Sequence, residues 1–231
     1  MTCARRAWAT LACVAACQTA LAEGSRLTRE GDVIEQGDCE AELARERMRF
    51  RGQPVERQSS MRLACGIGWQ TELEATYSRH RVDAQSDESM ALEAKTLLRE
   101  RERGGIGWTL ALGVGGERDS GGAWRRSGQS IAVEASIVPA EDWLFEVKFG
   151  AARERGPRIE KTLWSLAVER AISDTLEMRA ELDGDDRTRP LAAIGLRWAF
   201  WPDHAQLKLS YGAKSGPQRE RRTGLAVKYE F

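Results

Sequence analysis

Apolar side chains occupy every second position in the last stretch of this chain, residues 224–231. Leu225, Val227, Tyr229 and Phe231 alternate there with small or charged residues, and the sequence ends on the phenylalanine. Successive side chains of a β-strand point to opposite faces, so the pattern predicts a strand with one apolar and one polar face. An edge strand of a soluble β-sandwich has the same alternation. The choice between these folds therefore depends on the rest of the sequence.

The alternation recurs between turn signals along the chain and predicts twelve strands, an even number, as in single-chain outer-membrane barrels. We therefore predict an all-β fold: an antiparallel transmembrane up-and-down β-barrel of about 12 strands. A soluble periplasmic β-sandwich is the alternative. In the first strand the register is disturbed towards Met48 and Phe50. The predicted strands cover residues 38–50, 60–68, 70–81, 89–100, 105–116, 129–138, 142–152, 160–171, 175–184, 191–200, 205–213 and 222–231.

The predicted connections differ in length between the two ends of the barrel. Outer-membrane barrels have short periplasmic turns and longer extracellular loops, so we expect both ends of the barrel domain to lie on the periplasmic side. The connections after even-numbered strands are short: residues 68–70, 101–104, 138–141, 172–174 and 201–204. The connections after odd-numbered strands are longer and polar: residues 51–59, 81–88, 117–128, 153–159, 185–190 and 214–221.

The N-terminal residues 1–22 have the layout of a secretory signal peptide. Arg5 and Arg6 precede an alanine-rich apolar run, and a small-x-small cleavage site ends at Ala22. A competing interpretation is a lipobox ending at Cys17, which would then carry a lipid. With cleavage after Ala22, residues 23–37 form an N-terminal periplasmic segment and residues 38–231 form the barrel. The expected location is the outer membrane of a Gram-negative bacterium.

Charge and hydropathy exclude other classes of protein. The 35 basic and 35 acidic residues of the whole chain balance, so loss of Arg5 and Arg6 leaves a slight acidic excess. This balance predicts no nucleic-acid partner. No apolar run after Ala22 is long enough for a membrane-spanning helix, whereas barrel strands need only about nine to eleven alternating residues.

Aromatic residues cluster near the predicted strand ends. Two aromatic belts at the two membrane–water interfaces are characteristic of outer-membrane barrels. A soluble core filled with aromatic rings would not require this distribution. The interface candidates are Trp69, Trp108, Trp143, Trp164, Trp198, Phe200, Trp201, Tyr211, Tyr229 and Phe231.

The residues between the apolar ones should point into the lumen, and many of them are charged. Charges of both signs in a narrow lumen would pair, because an unpaired buried charge is unfavourable. Two interpretations stay open: a salt-bridged interior that braces the barrel, and a narrow polar path for a small solute. The candidate lumen-lining residues are Glu72, Glu74, Glu93, Lys95, Glu134, Glu146, Lys148, Glu169, Glu177, Arg179, Glu181, Arg197, Lys208, Lys228 and Glu230.

Cys39 and Cys65 remain after removal of the signal segment. They belong to adjacent predicted strands, near the periplasmic ends, and both fall in the apolar phase. Facing positions on one face bring the Cβ atoms within bridging range, so we predict a Cys39–Cys65 disulfide. Two isolated buried thiols are the alternative.

Enzymatic chemistry, metals and cofactors have little support in the sequence. His80 and His204 are expected at opposite ends of the barrel, so they cannot share a site. A lipid-modifying enzyme would need a serine–histidine pair. Ser78 stands two residues before His80, with no supporting carboxylate identified. We predict no enzyme, no metal site and no cofactor.

Several segments are similar to a family of outer-membrane barrels described as transporters of the phenol meta-degradation pathway. The similarity spans most of residues 25–231. The chain departs from the family in its Cys39/Cys65 pair and in lacking the acidic pair near Thr28. The segments that carry the resemblance are residues 28–35, 37–43, 64–74, 166–171 and 224–231.

The resemblance implies a narrow channel or transporter for small solutes, including hydrophobic or aromatic ones. It does not identify phenol as the solute of this protein. Alternatives are a salt-bridge-plugged structural or assembly-partner barrel without conductance and, less favoured, a lipid-modifying enzyme. Acidic residues outnumber arginines on the inner face, which disfavours anionic cargo. Expected partners are outer-membrane lipids, lipopolysaccharide contacted by arginine-rich loops, and the barrel-assembly machinery, which would read the strand ending at Phe231.

Overall fold

The computed structural model describes residues 33–101, 105–154, 159–216 and 219–231. The expected signal peptide and the Cys17 lipidation alternative lie outside these described residues. Of the expected N-terminal periplasmic segment, only residues 33–37 are described.

The described chain is a closed antiparallel up-and-down β-barrel in which the first strand pairs with the last. This confirms the predicted fold class and strand number. We call the end that carries Cys39 and Phe231 the terminal end and the opposite end the loop end. The strands are β1 (Cys39–Arg49), β2 (Glu56–Gly68), β3 (Thr71–Val82), β4 (Gln85–Arg99), β5 (Ile106–Arg118), β6 (Arg125–Ala140), β7 (Trp143–Glu154), β8 (Ile159–Ser173), β9 (Leu176–Asp185), β10 (Leu191–Trp201), β11 (Ala205–Lys214) and β12 (Glu220–Glu230).

The barrel buries polar residues and exposes apolar ones, the reverse of a soluble core. Leu43, Phe149 and Ile194 are about 60% exposed on the outer face, at 62%, 62% and 59%. Glu42, Lys95 and other inward-facing residues are buried. No helix in the described ranges is long and apolar enough to span a membrane.

We expected short connections at the terminal end and longer ones at the loop end, and this expectation is wrong at two places. The predicted loop 81–88 is a two-residue turn at Asp83 and Ala84, because β3 and β4 stay paired up to Val82 and Gln85. Polar side chains can continue a β-ladder beyond the apolar band, so hydrophobicity underestimates the strand length. At the terminal end, β4 ends at Arg99 and β5 begins at Ile106, a wider separation in sequence than the two or three residues between the other strand pairs at this end.

The expected disturbance of the first strand is also wrong. β1 pairs with both neighbours without a register shift. Met48 is consequently an inward residue and is buried, whereas Arg45 and Arg47 face outward and are exposed. Backbone pairing on both sides therefore overrides the local apolar pattern.

The structure confirms the Cys39–Cys65 disulfide. The two residues are direct partners in the β1–β2 ladder, with Cα atoms 4.1 Å apart. Cys39 also exchanges backbone hydrogen bonds with Phe231, its N–H donating at 2.8 Å and its carbonyl accepting at 2.9 Å. The disulfide therefore lies beside the seam where the barrel closes.

The aromatic interface candidates stand at outward strand positions or in terminal-end turns. Trp69 is 92% exposed at the tip of the β2–β3 turn. The other rings make contacts along the same face, including Trp198–Phe200 at 5.9 Å, Trp201–Tyr229 at 6.3 Å and Tyr229–Phe231 at 5.9 Å between centroids. Trp164 and Tyr211 lie nearer the loop end. Trp124, which the sequence reasoning missed, lies in the β5–β6 loop under the Arg118 guanidinium.

Candidate functional site

The inner wall of the barrel contains the candidate site, and all of the candidate lumen-lining residues occupy inward positions. Their placement follows from strict alternation with exposed apolar neighbours. The most enclosed are Glu72, Glu74, Lys95, Glu134, Glu146, Glu169, Glu181, Lys208 and Lys228. The partly enclosed ones are Glu93, Lys148, Glu177, Arg179, Arg197 and Glu230.

A first ion-pair network is centred on Arg62 of β2. Its guanidinium bonds Glu74 at 3.0 Å, contacts Glu40, and lies 4.0 Å from Glu42. The Arg62 side chain is only 6% exposed. This arrangement joins β1, β2 and β3 on the inner face, in addition to their backbone ladders.

Two lysines extend the first network to the last two strands. Lys208 of β11 donates to Glu42 at 2.7 Å, and Lys228 of β12 donates to Glu40 at 2.8 Å. Lys228 also lies 2.7 Å from Glu230. The network therefore spans the closing seam from inside.

Sequence reasoning missed Glu40, Glu42 and Arg62 as lumen residues. The two glutamates were missed because the first strand was interpreted as disturbed. The necessary signal was present. Glu40 and Glu42 alternate with Cys39, Ala41 and Leu43, and Arg62 lies between Met61 and Leu63. Strict application of the two-residue period would have placed all three charges in the lumen.

A second network lies on β7, β8, β9 and β10, next to the first network around the barrel, and is centred on two arginines. Arg179 of β9 bonds Glu146 at 2.5 Å, contacts Glu169, and has its Nε 3.5 Å from Glu181. Arg197 of β10 contacts Glu177 and lies 3.5 Å from Glu169. More carboxylates than guanidiniums take part, so this wall presents an acidic excess.

The two networks occupy the half of the lumen nearer the terminal end. Beyond them, inward positions are mainly small, as at Ala44, Ser60, Gly113, Ser130 and Ser210. Near the loop end there are the ion pairs Lys161–Glu154 and Arg222–Glu220 and the hydrogen-bonded pair His80–Glu56. The inner wall is thus asymmetric along the barrel axis.

Residues 33–37 lie against the inner side of β2 at the terminal end. Gly37 donates a backbone hydrogen bond to the Gly66 carbonyl at 3.1 Å, and the Ile34 N–H donates to the Glu72 carboxylate at 3.0 Å. Gly66 is required here because a Cβ at this position would lie 2.0 Å from the Glu35 carbonyl oxygen. Residues 33–37 therefore lie in the barrel mouth.

The segment leaves a cavity of about 390 Å³ at the mouth. Its walls carry charges of both signs. The lining includes Val33, Ile34, Glu40, Arg62, Glu72, Lys95 and Lys228. Such a space can hold water or a small polar solute at the entrance to the lumen.

Ser78 and His80 both face the lumen, and a carboxylate that sequence reasoning did not identify lies beside the histidine. His80 Nε2 is 2.9 Å from Glu56 Oε2. Among the described residues, Ser78 makes no hydrogen bond to His80, and the pair faces away from the lipid. His204 lies at the opposite end, where its ring meets the Trp201 ring edge-on with 4.9 Å between the ring centroids. The described residues contain no cluster of candidate metal ligands.

The sequence matches the model of the family described as "Uncharacterised conserved protein UCP029691" over residues 10–221. The chain belongs to this family. No curated protein matches the chain significantly. The resemblance to phenol-pathway transporters thus stays a prediction.

Solved outer-membrane barrels share the fold at low sequence identity. The KdgM porin in complex with disordered oligogalacturonate has a TM-score of 0.61 at 10% identity, covering 82% of this chain and 99% of that chain. The COG4313 outer membrane channel from Pseudomonas putida F1 has a TM-score of 0.55 at 11% identity, covering 90% and 99%. Outer membrane phospholipase A from Escherichia coli has a TM-score of 0.50 at 13% identity, covering 81% and 89%. The chain therefore has the fold of outer-membrane barrels, which serves both channels and an enzyme.

Proposed function

We propose that the protein is an outer-membrane channel for small polar solutes, closed in this conformation at its periplasmic mouth. The proposal assigns the terminal end to the periplasm, as is usual for barrels with this arrangement of turns. One observation carries it: residues 33–37 fill part of the mouth without belonging to the barrel wall. Their hydrogen bonds to the barrel wall involve Gly66 and Glu72 and no bond of the β1–β2 or β2–β3 ladders, so the segment can leave while the ladders stay intact.

The inner wall supports a preference for neutral or cationic solutes. Carboxylates outnumber basic groups in the Arg179–Arg197 network, and a ring of like charge disfavours ions of the same sign. The wall is charged or small along most of its described length. We therefore favour polar solutes over the hydrophobic or aromatic ones suggested by the family resemblance.

A braced, non-conducting barrel is the second candidate. The enclosure of Arg62, Lys208 and Glu42 favours it, because these side chains are 6%, 6% and 2% exposed and so leave little room for water at their level. Charge pairs of this kind hold neighbouring strands together on the inner face whether or not a solute passes.

Planar-bilayer conductance of the mature protein, residues 23–231, distinguishes the two candidates. The test variants are a chain that begins at Gly37 and the substitution Gly66→Ala, whose Cβ would displace the Glu35 backbone. Gly113→Ala is the matched control, because its Cβ would approach mainly the movable Ser130 hydroxyl. Folding of every variant is verified by a heat-dependent shift on gels.

For a closed channel we expect rare openings in the parent protein, and frequent, cation-selective openings in both test variants. Gly113→Ala should behave as the parent does. Silent bilayers with all of the folded variants would overturn the channel proposal and favour the braced barrel.

A further inference from the structure

The outer face of the barrel carries a continuous group of arginines at the loop end. They lie on four neighbouring strands, β12, β1, β2 and β3, and all are exposed. Adjacent strands are about 4.8 Å apart, so the group spans about 14 Å around the barrel. We call it the arginine patch, and it consists of Arg45, Arg47, Arg49, Arg57, Arg79, Arg81 and Arg221.

Several of these arginines face one another directly in the ladders. Arg49 pairs with Arg221 across β1 and β12, and Arg47 pairs with Arg57 across β1 and β2. Arg57 pairs in turn with Arg81 of β3. Like charges that are directly opposed on one face of a sheet destabilise it. The arrangement therefore calls for an anionic counterpart.

The protein itself supplies little of that counterpart. Among the described residues, Arg47, Arg57 and Arg81 take part in no ion pair, whereas Arg118 at the edge of the patch does. The nearby Glu56 faces inward and bonds His80. At the edge of the patch, Glu88 already accepts a hydrogen bond from Arg118 Nε at 2.7 Å.

The position of the patch matches the depth of lipid headgroups. The row formed by Leu43, Met61 and Tyr77 lies on the outer face, and the next outward row towards the loop end contains Arg45 and Arg79. Leu43 and Met61 are 62% and 54% exposed, as lipid-facing residues are. Guanidiniums immediately beyond an apolar band reach the interface, where phosphate groups lie.

We propose that the arginine patch binds the phosphorylated headgroup of the outer-leaflet glycolipid, lipid A. Guanidiniums bind phosphate through paired, charge-assisted hydrogen bonds, and neighbouring arginines allow one headgroup to neutralise several charges. The site is independent of conduction and of the lumen. It depends only on the loop end facing the outer leaflet.

Binding of purified, bisphosphorylated lipid A to the mature protein in detergent tests this proposal. The test variant is Arg47→Gln/Arg57→Gln/Arg81→Gln. The control is Arg125→Gln/Arg153→Gln/Arg187→Gln, which removes the same charge from three other loop-end arginines. Each of these has a partner within the protein: Arg125 pairs with Asp119, Arg153 with the Glu160 carboxylate, and Arg187 donates to the Glu160 carbonyl. Both variants are checked for the heat-dependent gel shift.

We expect the test variant to bind lipid A at least about tenfold more weakly, and the control variant to bind within about twofold of the parent. Binding should weaken with salt and with dephosphorylated lipid A, and inorganic phosphate should compete only at high concentration. Equal losses in both variants, undiminished binding of dephosphorylated lipid A, or tighter binding of phosphatidylglycerol vesicles would each overturn the proposal.

Discussion

Lys208 and Glu42 form a 2.7 Å ion pair although their strands are not neighbours, because β12 lies between β11 and β1. Both residues are buried, at 5% and 2% exposure. The pair therefore spans a strand on the inner face and adds a connection that the backbone ladders do not provide. It lies where the first and last strands meet, so its stability bears directly on barrel closure.

Replacing Lys208 with Met should destabilise the barrel by about 3 kcal/mol, because the buried Glu42 would lose an ion-pair partner at 2.7 Å. The double variant Lys208→Met/Glu42→Gln should recover much of this loss, since the buried position 42 no longer carries a charge. Urea-induced unfolding in lipid vesicles measures both effects. Lys214→Met provides the control, because that lysine has no described ion pair and lies at the loop end of the same strand. Additive effects of the two substitutions would contradict the pairing.

Removing the disulfide by Cys39→Ser/Cys65→Ser should lower the free energy of unfolding by about 3.5 kcal/mol, the loop-closure estimate for a separation of 26 residues. The Cys39–Cys65 bond restricts the unfolded chain, so most of the loss arises in the unfolded state. Denaturant unfolding with and without reductant measures the effect. Reductant should destabilise the parent protein and leave the serine variant unchanged, and equal responses would contradict the assignment.

The sequence predicts the strands well because each strand carries its own period-two signal. Its failures have physical causes. β3 and β4 extend beyond the apolar band to Val82 and Gln85 with polar side chains, and nothing in hydropathy marks such an extension. In β1, ladders on both sides hold a register that Met48 and Phe50 appeared to break.

The candidate site is only partly readable from sequence. Alternation identifies which charges face inward, as for Arg179 and Lys208. It cannot identify their partners, because Lys208 and Glu42 are 166 positions apart and meet only after the barrel closes. The only sequence signal for the entry of residues 33–37 into the mouth is Gly66. Its missing side chain lets the backbone of Glu35 approach closely, and this can be recognised only once the fold is known.

The β2–β3 turn combines backbone strain with an exposed ring. Trp69 and Gln70 have φ values of 52° and 53°, a conformation that favours Asn-Gly. Replacing them with Asn and Gly should stabilise the protein in detergent by about 1–2 kcal/mol. In lipid bilayers the same variant should insert more slowly, since it lacks the interfacial indole.

Gln70→Gly alone is the control for this turn, because it relieves part of the strain and keeps the ring. We expect it to stabilise the barrel without slowing insertion. Thermal unfolding in detergent and the time course of the gel shift in vesicles measure the two properties. Insertion at the same rate in both variants would show that Trp69 is not an anchor.

Phe231 combines a backbone role and a side-chain role that can be separated. Its N–H and carbonyl exchange hydrogen bonds with Cys39 at 2.9 and 2.8 Å, while its ring is 60% exposed and stacks on Tyr229. Phe231→Ala keeps the backbone bonds, so the purified variant should fold in detergent with an unchanged gel shift. If assembly machinery reads the terminal ring, the amount of folded protein in the outer membrane of cells should fall severalfold.

Phe149→Ala is the control for this prediction. It removes an equally exposed ring, 62% exposed, from the interior of β7 and should leave the amount of folded protein nearly unchanged. Equal amounts of the two variants in the membrane would mean that the terminal ring acts only through its lipid contact.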